Sequence, residues 1–224
     1  MTAHEAVLAI GLIVVPVAFT AFYAALAVRF RYPAILREPA QVVLERFHAG
    51  GPGLVLLWWG FGLTAVAFIP IAVLAAPLAG VGALATLTLV VGSLAGLVQA
   101  LGLLRWPFLV PQLARDRDRS PAAVDAIFDA TNRYLGVAIG EHLGYLLTGS
   151  WTILLSAGML ATGSLPGWFA IAGIVVGAAL LVGTLEFVGP AEREGWAFAG
   201  ATVAVAYTAW SIWLVVGGIL LFVT

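Results

Sequence analysis

Glu141 and His142 lie in the middle of an apolar stretch, a place where an ionisable side chain is rare and functional by default. Around them Tyr134, Glu141, Tyr145, Thr148 and Thr152 recur at intervals of seven, four, three and four residues. At ~100° per residue this spacing predicts one narrow polar face on a helix, with His142 flanking it and Leu135, Ile139, Leu143, Leu146, Ile153 and Leu154 on the other side. Glu141 is eight residues beyond Arg133, roughly 12 Å along a helix rising ~1.5 Å per residue. An ionised carboxylate at that depth costs on the order of a few kcal/mol unless it is paired, hydrated or protonated. On a functional reading, Glu141 and His142 line a water-accessible pocket and move protons or hold a ligand. On a structural one, Glu141 is bonded to another helix through Tyr145 or an arginine, and His142 caps a tilted helix. Neighbours i and i+1 diverge by ~100°, so the two are not each other's partner.

Arg105, Glu186 and Gln99 are the candidate companions of this pair. Counted from the far ends of their stretches, Arg105 and Glu186 both fall near the membrane boundary, and Gln99 lies one and a half turns deeper. Arg105 beside Pro107 and Pro111 is also what a snorkelling arginine at a helix end looks like. His48 and His142 stand at depths that differ by roughly 10 Å if Arg46 and Arg133 mark one level, which argues against a bis-histidine haem. Glu141, His142 and Glu186 have suitable ligand types for a metal, yet no paired spacing supports one, and no metal site is assigned. Trp58, Trp59, Trp151 and Trp210, with Phe61, Phe68 and Tyr207, fall off the interfacial belts. They are either a lining for a planar or lipophilic ligand, with Trp58 and Trp151 as its walls, or packing. Trp106 and Trp196 suit one belt and Trp168 and Trp213 the other.

The elements that must carry these residues are six apolar stretches, 6–28, 53–75, 83–104, 134–160, 168–187 and 196–223. Each is long enough to cross a hydrocarbon core of ~30 Å at ~1.5 Å per residue, which predicts an all-α integral membrane bundle of six helices in one domain spanning 1–224. All ten basic residues are arginines, and they fall in the connections after the first, third and fifth stretches. Retention of positive loops on the cytoplasmic side places both termini outside. The run 6–28 lacks a positive leader and is about twice the length of a signal-peptide core, so it is expected to remain as a helix.

Composition narrows the chemistry. Charged residues are 9% and hydrophobic ones 62%, with mean hydropathy +1.08, so the lipid bilayer is the first partner. A net charge of -1 offers no basic surface for nucleic acid. Without cysteine there is no disulfide, thiolate metal site or thiol nucleophile, and without lysine no Schiff-base cofactor or triphosphate-binding loop. No motif names any other cofactor. Arginine without lysine, beside much Ala, Gly and Val, points to a GC-rich bacterial genome and hence to the bacterial cytoplasmic membrane.

Within the arginine-bearing connections, Ser120-Pro121 reads as an N-cap and first-turn proline. Val124, Ile127, Phe128 and Leu135 then recur opposite Asp125, Asp129 and Arg133 in an amphipathic helix, either an extension of the fourth span or a surface-lying partner helix. Arg115 to Arg119 alternates in sign as a solvated turn. Val14-Val15-Pro16, Val90-Val91-Gly92 and Val175-Val176-Gly177, with Arg46/Gly53, Arg133/Gly140 and Arg193/Gly200 at one offset, fit three repeated helical hairpins. Gly136, Gly140 and Gly144 make one small-residue stripe, and Gly92, Gly96 and Ala100 another. Such stripes serve close packing within a chain or, alternatively, a homo-oligomer interface.

Over Leu165-Pro166-Gly167-Trp168-Phe169-Ala170-Ile171-Ala172-Gly173 and Ala209-Trp210-Ser211-Ile212-Trp213-Leu214-Val215-Val216-Gly217, chiefly the last two spans, the chain resembles a bacterial family of polytopic membrane proteins known mainly as domain of unknown function 4386. The family often has an arginine between that proline and tryptophan, where this chain has Gly167. The resemblance implies an α-helical bacterial membrane fold and supplies no substrate or catalytic residue. The leading functional expectation is binding of a small lipophilic or aromatic ligand in a pocket toward the cytoplasmic half, for transport or sensing. It would be held by Glu141, His142, Tyr145, Thr148, Thr152, Gln99, Arg105, Glu186, Trp58 and Trp151. Two alternatives are an intramembrane enzyme on a lipid or isoprenoid, with Glu141 and His142 as acid and base, and a non-catalytic subunit of a membrane complex.

Overall fold

The computed structural model describes residues 2–192 and 194–223, so Arg193, one of the arginines used above for topology and for the repeat, lies outside the described residues. The described residues are mostly helical, joined by short turns, with no strand among them. Eight α-helices follow in order: α1 (Ala3–Phe30), α2 (Ala40–Ala75), α3 (Ala83–Phe108), α4 (Val110–Asp116), α5 (Pro121–Thr131), α6 (Gly144–Thr162), α7 (Gly167–Gly183) and α8 (Ala197–Val223). A π-helical segment, Asn132–Leu143, joins α5 to α6 without interruption. Five of the resulting rods are long and apolar enough to cross a bilayer, and α7, with 17 residues, is a shorter apolar helix.

The six rods form a closed ring. In sequence order each packs on the next, α1 on α2, α2 on α3, α3 on the π segment and α6, α6 on α7, α7 on α8, and α8 returns to α1. Side chains pointing away from the ring are apolar on every rod, among them Val14, Leu56, Trp59, Val90, Leu101, Val175, Val205 and Ile212. An all-round apolar exterior of this extent is a lipid-facing surface. Alternation of direction along the chain brings Arg29, Arg31, Arg37 and Arg46 to the same end as Arg105, Arg115, Arg117, Arg119 and Arg133.

Local sequence explains the helix ends. Thr2 and Glu5 close a capping box on α1, and Arg31 ends that helix in the left-handed conformation. Within α2, Gly51 has φ 58° and ψ −160° directly before Pro52, so 40–50 turns away from the remainder of the rod. Ser120 occupies the N-cap position of α5 with Pro121 behind it, although its side chain makes no capping bond. The amphipathic reading of α5 has a simple outcome: Val124 and Phe128 are buried, Asp125 accepts from Gln41 Nε2 at 2.7 Å, and the helix runs on as the extension of the fourth span.

Two apolar clusters fill the ring. At the arginine-bearing end, Phe30, Phe47, Trp58, Trp106 and Phe128 pack with Leu26, Ile35 and Leu44. Trp58 stacks on Trp106 with centroids 4.4 Å apart. At the other end Phe68, Trp151, Phe169, Trp210 and Trp213 pack with Leu8, Leu12, Leu155 and Met159. Trp106 and Trp213 are therefore core residues, 1% and 5% exposed, and not the interfacial belt residues expected from their positions. Trp168 and Trp196 do lie outward, at 60% and 45%.

The glycine stripes are consumed inside the ring. A Cβ on Gly96 would stand 2.9 Å from the Ala65 carbonyl of α2, one on Gly102 would stand 2.7 Å from the Gly140 Cα, and one on Gly144 would press on Gln99. Val14, Val90 and Val175 all face outward while Pro16, Gly92 and Gly177 are all buried, so the three marks of the repeat occupy like radial positions. The glycines of the second mark differ: Gly140 meets α3, Gly200 meets Glu186, and Gly53 meets nothing.

Candidate functional site

The π segment sets the geometry around Glu141. Its carbonyls bond five residues on instead of four, so each turn holds more residues and each residue advances by less than 100°. Over the seven residues from Tyr134 to Glu141 the shortfall becomes a large part of a turn. Tyr134 consequently leaves the inner face and is 64% exposed, a correction to the single stripe that 100° steps predict. Beyond Gly144 the α-helix resumes, and Thr148 and Thr152 are buried on the inner side as that spacing requires.

Glycines make the π segment possible where it is. Gly140 lies backbone to backbone against Gly102 of α3. Gly136 gives room to Arg105, whose guanidinium would stand 2.6 Å from any Cβ there. That guanidinium donates to the Gly102 carbonyl and, at 2.9 Å, to Asn132 Oδ1, and it lies 5.3 Å from the Trp106 ring centroid. Arg105 thus has Asn132 as its partner. It is within electrostatic range of Glu141 without forming an ion pair to it.

A cavity of about 390 Å³ opens between the π segment and the end of α7. Glu141, His142, Tyr145 and Glu186 reach it, and Tyr134, Val137, Ala138, Phe187 and Val188 supply most of the rest of its wall. The Glu141 carboxylate accepts no hydrogen bond and meets no cation within ion-pair distance among the described residues. His142 is held by Nδ1, which donates to the Thr184 carbonyl at 2.8 Å because a carbonyl only accepts, leaving Nε2 as the ring's acceptor in the neutral form. Glu186 rests on Gly200 of α8, whose Cβ would stand 2.7 Å from Oε1, and Trp196 N donates to the Glu186 carbonyl at 2.7 Å. Arg133 at the rim is ion-paired with Glu192.

Deeper in the ring, polar side chains satisfy one another. Gln99 Nε2 donates to Thr148 Oγ1 at 2.8 Å, Thr152 donates to the Thr148 carbonyl at 2.7 Å, and Trp210 Nε1 donates to Thr152 Oγ1 at 2.9 Å. Tyr207 approaches Thr148 and packs against Tyr145, with ring centroids 5.5 Å apart. Gln99, Thr148 and Thr152 therefore adjoin the cavity's inner end through Tyr145 without lining it. Trp58 and Trp151, each 0% exposed, lie in the two opposite clusters away from the cavity, with Nε1 unpartnered in both. Trp59 faces outward at 45%. Of the two readings of these rings, their places in the two clusters support packing.

Several participants carry no signal of their own in the sequence. Tyr32, from the α1–α2 connection, enters the electrostatic environment of Glu141 and Arg105 after the left-handed Arg31 turns the chain inward. Asn132, Thr184 and Phe187 are likewise recognisable only once the ring has closed. Glu141, His142 and Glu186 share one cavity, yet no three His, Cys, Asp or Glu side chains converge on a point among the described residues.

No curated protein and no solved structure matches the chain. A family model does, from residue 8 to residue 218, which reaches from α1 to α8 and so extends far beyond the last two spans in which the likeness is first visible. This six-rod membrane ring therefore belongs to the family described as domain of unknown function DUF4386.

Proposed function

We propose that the protein binds a small lipophilic ligand in the cavity between the π segment and α7, and carries or senses it. The observation behind this reading is Glu141, a carboxylate inside a membrane ring that opens onto an apolar cavity and has no partner of its own among the described residues. Such a group is costly to keep, and structural carboxylates in membranes are normally paired. The cavity has the size and apolar walls of small-molecule sites, with a few convergent polar groups. A π segment on its border fits the frequent association of π geometry with functional sites.

Orientation and location belong to the same reading. The gathering of the described arginines at one end supports a cytoplasmic placement of that end, both termini outside, and a bacterial cytoplasmic membrane. The cavity then opens in the cytoplasmic half. An intramembrane enzyme is the second reading, and one observation favours it: the hydrogen bond to Thr184 fixes the His142 tautomer, as a general base requires.

Native mass spectrometry on protein extracted gently from its own membrane tests the proposal. A stoichiometric small-molecule mass on wild type, lost in Glu141→Gln, is expected. An occupant retained unchanged by Glu141→Gln, or no occupant under any extraction, overturns it.

A further inference from the structure

Resting on the reading that this cavity holds a ligand, we infer that the ligand is a lipophilic organic cation, of the quaternary or protonated amine class, seated with its charge on Glu141. Two carboxylates, Glu141 and Glu186, reach the cavity and feel one another electrostatically. The two cations nearest Glu141 and the cavity wall are committed elsewhere. Arg133 is paired with Glu192, and Arg105 donates to the Gly102 carbonyl and to Asn132. His142 spends its Nδ1 hydrogen on Thr184, so it presents an acceptor in its neutral form. Arg37 acts electrostatically on Glu186 from outside the cavity wall, so Glu141 is the carboxylate with no guanidinium at ion-pair distance among the described residues, and the site offers its charge beside the His142 acceptor.

The walls agree with that charge. Tyr134, Tyr145 and Phe187 bring aromatic rings to the cavity, and the negative face of a ring attracts a cation most when water is excluded. A bare metal ion fits less well, because no three ligating side chains converge among the described residues. An organic cation needs no coordination shell. It takes Coulomb attraction from Glu141 in a low-dielectric setting while its apolar body is buried, whereas an anion of the same shape meets two carboxylates.

The test uses the full chain in nanodiscs, titrated with three probes of similar shape: benzyltrimethylammonium, its neutral carbon analogue neopentylbenzene, and the anion phenylmethanesulfonate. Empty nanodiscs give the background. Saturable binding of the ammonium at one per chain is expected, on the order of 30-fold tighter than either other probe. Glu141→Gln should remove most of that preference, and Ala138→Phe, which narrows the cavity and leaves both carboxylates in place, should block all binding. Thermal unfolding reports that both variants are folded. If Ala138→Phe blocks saturable binding but the neutral probe binds as tightly as the ammonium, or Glu141→Gln leaves ammonium affinity unchanged, the cation class is wrong while the ligand site survives. If no probe saturates and Ala138→Phe changes nothing, the ligand site fails as well.

Discussion

Glu141 sets two demands that oppose each other. A carboxylate without a partner inside the ring weakens the fold, and on the proposed reading a bound ligand that met it would recover what was lost. Glu141→Gln, which removes the charge and keeps the shape, should therefore raise the unfolding free energy of the ligand-free protein by about 1–3 kcal/mol while abolishing ligand retention. Thermal unfolding in mild detergent reads the first effect, and a lower midpoint would mean that Glu141 already has a compensating role in the fold. His142 makes a different prediction. Asn at this position can keep a donor for the Thr184 carbonyl and removes Nε2, so His142→Asn should stay within about 0.5 kcal/mol of wild type, while His142→Ala loses about 1 kcal/mol. Ligand retained by His142→Asn supports binding; turnover lost in the same variant, on any lipid substrate found, supports the enzyme. The sequence could identify this pair because charge in an apolar run is conspicuous in one dimension. Asn132 and Tyr32 are not conspicuous, since a polar residue near a helix end and a tyrosine in a loop acquire meaning only from what the ring places opposite them.

Helical elements were legible wherever the regular α period held. Thr148 and Thr152 fall inward as their spacing predicts, and Val124 and Phe128 mark the buried face of α5. The reading failed at Tyr134, because periodicity presumes a constant angle and Asn132–Leu143 does not keep it. A signal was present in the glycines: Gly136 and Gly140 admit Arg105 and the α3 backbone so closely that side chains there would collide. Close packing of this kind predicts a contrast between two glycines. Gly102→Val drives a branched side chain into Gly140 and the Leu135 carbonyl, 2.7 and 3.0 Å from its Cβ, and should destabilise by about 1–3 kcal/mol and displace the π segment from α3. Gly53→Ala meets nothing within 4 Å inside a helix and should be neutral or stabilising by up to ~1 kcal/mol. Thermal midpoints of the two variants check this directly, and equal effects would mean that the α3 contact contributes little.

Closure of the ring is what turns six apolar stretches into one object, and hydropathy alone could not supply it. Sequence gives the number of rods and their alternation; the return of α8 onto α1, and the division of the interior into an arginine-end cluster and an opposite aromatic cluster, depend on side-chain shape. The aromatic cluster is closely packed, with Phe169 stacked on Trp213 at 4.8 Å and Trp151 fully buried, and the cavity beside Glu141 lies toward the other end, with Arg133 in its wall. Which side that is decides what the protein can do with a ligand, and the arginine distribution gives a definite expectation. The chain has no cysteine, so single cysteines report without background. Val81, 96% exposed in the α2–α3 turn, and Asp118, whose side chain is 80% exposed between α4 and α5, lie at opposite ends. A membrane-impermeant maleimide added to intact spheroplasts should modify Val81→Cys and leave Asp118→Cys untouched until the membrane is opened. The reverse pattern would turn the ring over, put Glu141 within reach of the outside, and make capture of an external compound the first role to test. The expected pattern keeps the cavity on the cytoplasmic side, with the packed rings of Phe68, Trp151, Trp210 and Trp213 between it and the far end, so a protein that retains its occupant while those rings stay packed would act as a sensor under the proposed reading.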